Sequence, residues 1–145
     1  MTCLSRQLAA ALCLTVFLLT GFSSTTVRAN QLVAEFVNAS TVDLENPHDL
    51  KLSADGKYLF VSDVGNNRVA ILDPDSLELI GEFGADHQSG THDIDFDARG
   101  RAYVADTHNN RVTLYRMDGV EATLIGEIGA RIRGPEGVLA HPIGT

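Results

Sequence analysis

From residue 46 onward, apolar positions come in short runs set between polar turns, and the set of runs recurs. Leu50 and Leu52 alternate with Asp49 and Lys51, the period of a strand with one buried face. Ser53-Ala54-Asp55-Gly56 follows with turn chemistry, since Asp bonds its own backbone and Gly tolerates positive φ. Tyr58-Leu59-Phe60-Val61 is aromatic and β-branched, a second and more buried strand. Gly65-Asn66-Asn67 supplies the next tight turn. Val69-Ala70-Ile71-Leu72 reads as a third strand, Asp73-Pro74-Asp75-Ser76 as a turn, and Leu77 to Phe83 as a fourth strand. The second set runs Ile94 to Phe96, Ala102 to Ala105, Val112 to Tyr115 and Glu121 to Ile128.

The two sets are copies. His48 and His92 stand 44 residues apart, as do Gly56 and Gly100; Asp63 and Asp106, like Arg68 and Arg111, stand 43 apart. Pro135-Glu136-Gly137-Val138 opens a third copy, with Glu136 again 44 beyond His92. A period of this length marks a repeat architecture in which each unit buries its faces against its neighbours. The chain therefore divides into a leading strand and loop at 30–45, repeats at 46–89 and 90–134, and the start of a third at 135–145. Within the first of these, residues 30–37 read as a strand, because Ala34-Glu35-Phe36 matches Gly81-Glu82-Phe83 and Gly126-Glu127-Ile128. Thr145 follows no terminating signal, so the chain reads as a fragment of a longer repeat protein. The outer faces of the two repeats then lack neighbours, which favours association.

Residues 1–29 follow another pattern. A short start with one basic residue precedes an apolar run from Leu8 to Leu19, then a small polar stretch ending Val27-Arg28-Ala29. This is the order of a secretory signal peptide. About a dozen apolar residues are too few to span a bilayer, which takes roughly 20. Cleavage predicts a secreted or periplasmic protein with no stable membrane anchor. It removes both cysteines and two arginines, leaving nine Lys and Arg against 19 Asp and Glu, a net charge of −10. Such a surface repels phosphate backbones, which excludes nucleic acid as a partner.

The chemistry-bearing residues repeat with the strands. Asp63 and Asp106, followed by Asn67-Arg68 and Asn110-Arg111, recur in each unit and read as turn maintenance. His48, His92 and Glu136 share one register ahead of each unit's first strand, and imidazole with carboxylate suits zinc. Asp93, Asp95 and Asp97 lack the spacing of an EF-hand loop and read as a solvated acidic face. His87, His108 and His141 fall in loops and are expected to be exposed.

With Asp-Gly, an aromatic–Val strand, then Asp63-Val64-Gly65-Asn66-Asn67-Arg68 or Asp106-Thr107-His108-Asn109-Asn110-Arg111 in place, the chain resembles NHL-repeat proteins. That resemblance implies an all-β, partial β-propeller of four-stranded NHL-type blades, of the six-bladed kind, with about two blades and flanking strands here. A first strand in each blade would then line the central channel. Pro47-His48-Asp49-Leu50 and Thr91-His92-Asp93-Ile94 also resemble a motif of the peptidyl-α-hydroxyglycine α-amidating lyases. This implies zinc at His48 and His92, with Glu136 as third equivalent, and calcium at Asp49 or Asp93. The expected function is a propeller module that binds a protein, peptide or small ligand. The alternative is a metal-dependent lyase of the amidating type, or a lactonase-like hydrolase.

Overall fold

The computed structural model describes residues 35–141. The predicted signal peptide and residues 30–34 lie outside the described residues. Among the described residues there are two four-stranded antiparallel sheets and no helix, so none is long and apolar enough to cross a membrane. The first sheet runs β1 (Pro47–Leu52), β2 (Leu59–Asp63), β3 (Arg68–Leu72), β4 (Leu79–Phe83) in spatial order. The second runs β5 (Thr91–Phe96), β6 (Arg101–Asp106), β7 (Arg111–Asp118), β8 (Glu121–Ile128). Each is a meander of neighbours in sequence.

The strand pleat sorts side chains between two cores. Phe60, Val69, Ile71 and Phe83 leave the first sheet on the side that meets Ile94, Ala102, Val104 and Tyr115 of the second. Aromatic pairs close that seam, with Phe60 against Phe96 and Phe83 against Tyr115, both at 4.7 Å between ring centroids. Alternate residues of the same strands, Val61, Ala70 and Leu72, form a smaller cluster on the far side of the first sheet, under Val42, Leu44 and Leu59.

The turns repeat in detail. Asn67 and Asn110 take φ of 55° and 56°, a region that Asn reaches at less cost than most residues because its short side chain bonds locally. Each then tethers the next segment. Asn67 Oδ1 accepts the Gly90 amide at 2.8 Å, and Asn110 Oδ1 accepts the Gly134 amide at 3.0 Å.

Asp63 and Asp106, both fully buried, are the acceptors that hold each turn. Asp63 takes the Glu45 amide at 2.7 Å, Asn66 Nδ2 at 2.8 Å and Arg68 Nε at 2.9 Å. Asp106 takes the Ser89 amide and Arg111 Nε, each at 2.7 Å, and Asn109 Nδ2 at 3.0 Å. Each arginine also reaches a glutamate on its unit's last strand, Glu82 or Glu127. A buried carboxylate persists as an ion only when paired and hydrogen-bonded in this way.

Two expectations fail locally. Glu35, Phe36 and Val37 carry no strand, and Phe36 and Val37 are exposed; both sheets are already four-stranded without them. The acids on and just after β5 are not a solvated face either. Asp95 and Asp97 are buried, because each finds cationic and amide donors. Arg101 Nε and the Arg99 and Arg101 amides bond Asp97.

Candidate functional site

The first strand of each sheet carries an irregularity at its histidine. Register with the neighbouring strand shifts between Pro47 and Asp49 in β1, and between Thr91 and Ile94 in β5. Such bulges re-aim side chains. His48 and His92 come together here, with ring centroids 4.7 Å apart and planes at 68°. His108, from the β6–β7 turn, extends the row at 6.4 Å from His92. Gly90 makes room for it, since a Cβ there would run into the His108 ring. The equal register of His48 and His92 predicted their pairing; His108 is exposed as expected, but its place beside them is visible only once the turn is built.

The hydrogen bonds of His92 fix its tautomer. Thr107 Oγ1 donates to the Pro135 carbonyl at 2.5 Å, which spends its only proton. His92 Nδ1 lies 2.8 Å from that oxygen and 3.0 Å from the Gly90 carbonyl. Both neighbours are acceptors, so Nδ1 carries a proton, and in the neutral ring Nε2 holds the lone pair. A neutral imidazole held in this state serves as a base or as a metal ligand.

Below the histidines runs a ladder of carboxylates across three successive segments. Asp93 meets Asp49 of the first sheet on one side and accepts the Val138 amide at 2.6 Å on the other. Burial pushes the Asp93 carboxyl above its ordinary value, and the neighbouring Asp49 pushes it further. Asp95 bridges Lys51 at 2.7 Å and accepts the Ala140 amide at 2.8 Å. Burial would raise Asp95 as well, but the Lys51 hydrogen bond and that amide hold it below the usual range. Val138 and Ala140 thus pack at strand spacing without forming a strand. Glu136 is exposed and makes no hydrogen bond or ion pair among the described residues. Among the described residues, no three His, Cys, Asp or Glu side chains are grouped to hold a metal ion. Two imidazoles match zinc's donor chemistry, but zinc takes three or four ligands, which the described residues do not bring together here.

A polar cluster that the sequence did not advertise lies behind this end. Gln88, Thr91, Thr113 and Tyr115 are all buried. Gln88 Nε2 donates to Tyr115 Oη at 2.7 Å and Thr113 Oγ1 at 3.0 Å, while Thr91 Oγ1 donates to Gln88 Oε1 at 2.7 Å. His87, expected exposed, is half-buried and bonds Tyr115 Oη through Nε2 at 2.6 Å. Burial raises the Tyr115 phenol, so it stays a neutral hydrogen-bonding group.

The family model described as Lactonase, 7-bladed beta-propeller, matches residues 20–141. The chain belongs to this family. Its two sheets are therefore propeller blades. The family description counts seven blades where the NHL resemblance implied six. Among solved structures, a putative 6-phosphogluconolactonase from Bacteroides uniformis is similar at 26% identity and a TM-score of 0.50, over 58% of this chain and 26% of that one. Kuenenia stuttgartiensis hydrazine synthase is similar in fold at 22% identity and a TM-score of 0.55, over 71% of this chain and 29% of that one. The chain thus spans under a third of the length of either. No curated protein matches it.

Proposed function

We propose that this chain carries part of the site of a lactonase-like propeller that hydrolyses a small cyclic ester. In this reading His92 is the general base. Its Nε2 takes a proton from water as the oxygen attacks the lactone carbonyl carbon. The tetrahedral intermediate then expels the ring oxygen, which receives that proton, and a hydroxy acid leaves. The observation that supports this is the fixed tautomer of His92, with Nδ1 turned to Gly90 and Thr107 and its ring beside His48. A positioned base contributes about 10²–10⁴-fold to such a step. With the predicted leader removed, the reaction takes place outside the cytoplasm.

The test is pH-stat hydrolysis of a six-membered sugar lactone by the full chain, wild type beside His92→Ala and Thr107→Val. We expect turnover above buffer, a fall of about 10²-fold or more in kcat/KM for His92→Ala, and a smaller fall for Thr107→Val that Thr107→Ser restores. Wild-type rates equal to buffer, or full activity in His92→Ala, would sink the hydrolase reading.

The pairing of His48 with His92 also favours a second reading, zinc at His48, His92 and Glu136 with calcium at Asp49 or Asp93, as in the amidating-lyase resemblance. Calorimetric zinc binding lost in both His48→Ala and His92→Ala, without lactone turnover, would select it. Neither turnover nor metal binding leaves the propeller as a binding module for a protein, peptide or small ligand.

A further inference from the structure

At the end of the strands away from the histidines, the seam between the two blades opens into a cavity of about 430 Å³. The chain takes five residue steps from His48 to Ser53, about 17 Å at roughly 3.3 Å per step, so this cavity is separate from the histidine site. Its walls are Tyr58, Phe60, Phe96 and Met117, and the exposed turn glycines Gly100 and Gly119 complete its rim. Both walls come from blades that the chain itself contains, since Tyr58, Phe96 and Met117 pack on the core the two blades share. Phe60 and Phe96 lie 4.7 Å apart between ring centroids with planes at 53°, and Tyr58 and Phe60 lie 6.3 Å apart at 62°. One more ring extends such a tilted set favourably, and the Met117 thioether adds an affinity for aromatic edges.

The polar side chains around the cavity are already partnered, with one exception. Ser53 Oγ donates to Asp55 and accepts the Lys57 and Tyr58 amides. Asp55 also pairs with the Lys57 ammonium at 2.9 Å. Asp97 accepts Arg101 Nε, the Arg99 and Arg101 amides and the Tyr103 hydroxyl. Tyr58 Oη makes no hydrogen bond among the described residues, and it stands so close to the Gly119 backbone that a Cβ there would lie 3.5 Å away. The repeat does not require this arrangement. The Ser53 amide bonds the Tyr58 carbonyl as the Asp97 amide bonds the Arg101 carbonyl, so Tyr58 holds the place of Arg101. Blade two closes that place with the Arg101–Asp97 ion pair at 2.6 Å; blade one puts a ring there and leaves its hydroxyl open.

We propose that this cavity binds a small uncharged aromatic molecule with one hydrogen-bonding group, of the phenol or indole class. Its ring lies among Phe60, Phe96 and Met117, and its polar atom meets Tyr58 Oη, which both donates and accepts. An anion is disfavoured by Asp55 and Asp97, and a cation finds both carboxylates already taken by Lys57 and Arg101. The volume, at the lower end of the range for small-molecule pockets, suits one or two fused rings.

The full chain has two methionines, Met1 and Met117, so NMR of the protein labelled at the methionine methyls with ¹³C tests this directly. Titration with phenol is expected to move the Met117 resonance to saturation and to leave Met1 in place. Cyclohexanol, of like size but without a ring current or π-face, is expected to give no saturable shift. Tyr58→Phe keeps the ring and removes the hydroxyl; it is expected to weaken phenol about three- to tenfold, the net worth of one hydrogen bond, and to leave toluene unchanged. Phe96→Leu is expected to weaken phenol and toluene alike. The readout is independent of lactone turnover, so it stands or falls apart from the hydrolase reading. No saturable shift of Met117 with phenol, equal binding of cyclohexanol, or phenol binding unchanged in Tyr58→Phe each overturns the proposal.

Discussion

Blade one and blade two share their turns almost atom for atom and differ in what lies behind them. At Gln88, Thr91, Thr113 and Tyr115, blade two buries a hydrogen-bonded polar set. Blade one has Leu44, Pro47, Ala70 and Leu72 in the same register, with Leu44, Ala70 and Leu72 in an apolar cluster. The same backbone thus tolerates either chemistry, provided the set is complete. A buried Tyr hydroxyl needs a partner, which Gln88 and His87 supply to Tyr115; Leu72 needs none. What repeats is the part that forms the unit, the Asp63–Asn66–Arg68 and Asp106–Asn109–Arg111 clamps. What varies is the part that meets a neighbouring blade.

Breaking the polar set should have the largest effect. Gln88→Leu alone leaves the Tyr115 hydroxyl with His87 and the Thr113 hydroxyl with the Val104 carbonyl at 3.5 Å, and strips the buried Thr91 hydroxyl of the acceptor it donates to. An unsatisfied buried polar group costs about 1–3 kcal/mol, and we expect a loss in that range in urea unfolding. Adding the blade-one residues at Thr113 and Tyr115, Thr113→Ala with Tyr115→Leu, should recover part of it, because removing both partners is nearly neutral while the Thr91 hydroxyl still lacks its acceptor. No recovery in the triple variant would mean that the set acts through shape, through the contact of Tyr115 with Phe83, and not through hydrogen bonding.

The reverse transfer should stabilise. Ser62 is fully buried, and its hydroxyl has no hydrogen-bond partner among the described residues. Blade two has Ala105 at this position, also fully buried. Ser62→Ala removes an orphaned hydroxyl from a site whose twin accepts alanine, and a gain of about 1 kcal/mol in unfolding free energy is expected. A loss instead would place a compensating interaction at that hydroxyl.

The repeat and the strands were readable because β-structure writes itself locally, in period-2 alternation and in Asn and Gly at the turns. Asn67 and Asn110 read as turn residues, and both take the left-handed region. The pairing of His48 with His92 was readable for the same reason: equal register on adjacent first strands implies nearness. The third segment was less readable. Glu136 has the register of those histidines, yet residues 135–141 form no strand, and a register without a strand does not fix a side chain. Gln88 looked like one more polar loop residue, since nothing near it in sequence marks its partners 25 and 27 residues away. Asp95 and Asp97 looked solvated, because alternating acids on a strand usually are. Their burial depends on Lys51, Ala140 and Arg101 arriving from elsewhere.

The smallest effect, and the one that separates the two blades most finely, concerns Asp49. Two carboxylates two residues apart on β5 are pushed in opposite directions by what blade one offers them. Asp95 meets Lys51 and is held low; Asp93 meets Asp49 and, already raised by burial, is pushed higher. The signs follow from proton linkage. Asp95 binds its proton less readily when folded, so its contribution is present above the ordinary aspartate value and lost as pH falls through its lowered one. Asp93 binds its proton more readily when folded, so its contribution is present below the ordinary value and lost as pH rises through its raised one. Asp49→Asn removes the repelling charge and supplies an amide donor, so Asp93 should fall toward the ordinary value. Like charges facing each other across strands cost up to about 1 kcal/mol, which sets the expected gain in stability at neutral pH. At a pH of about 3, below the ordinary aspartate value of about 3.9, Asp93 is protonated in both proteins and the gain should vanish. Urea unfolding of wild type and Asp49→Asn across this range reads the difference directly. An equal gain at both ends would assign the effect to packing and remove charge from the account of the Asp49–Asp93 contact.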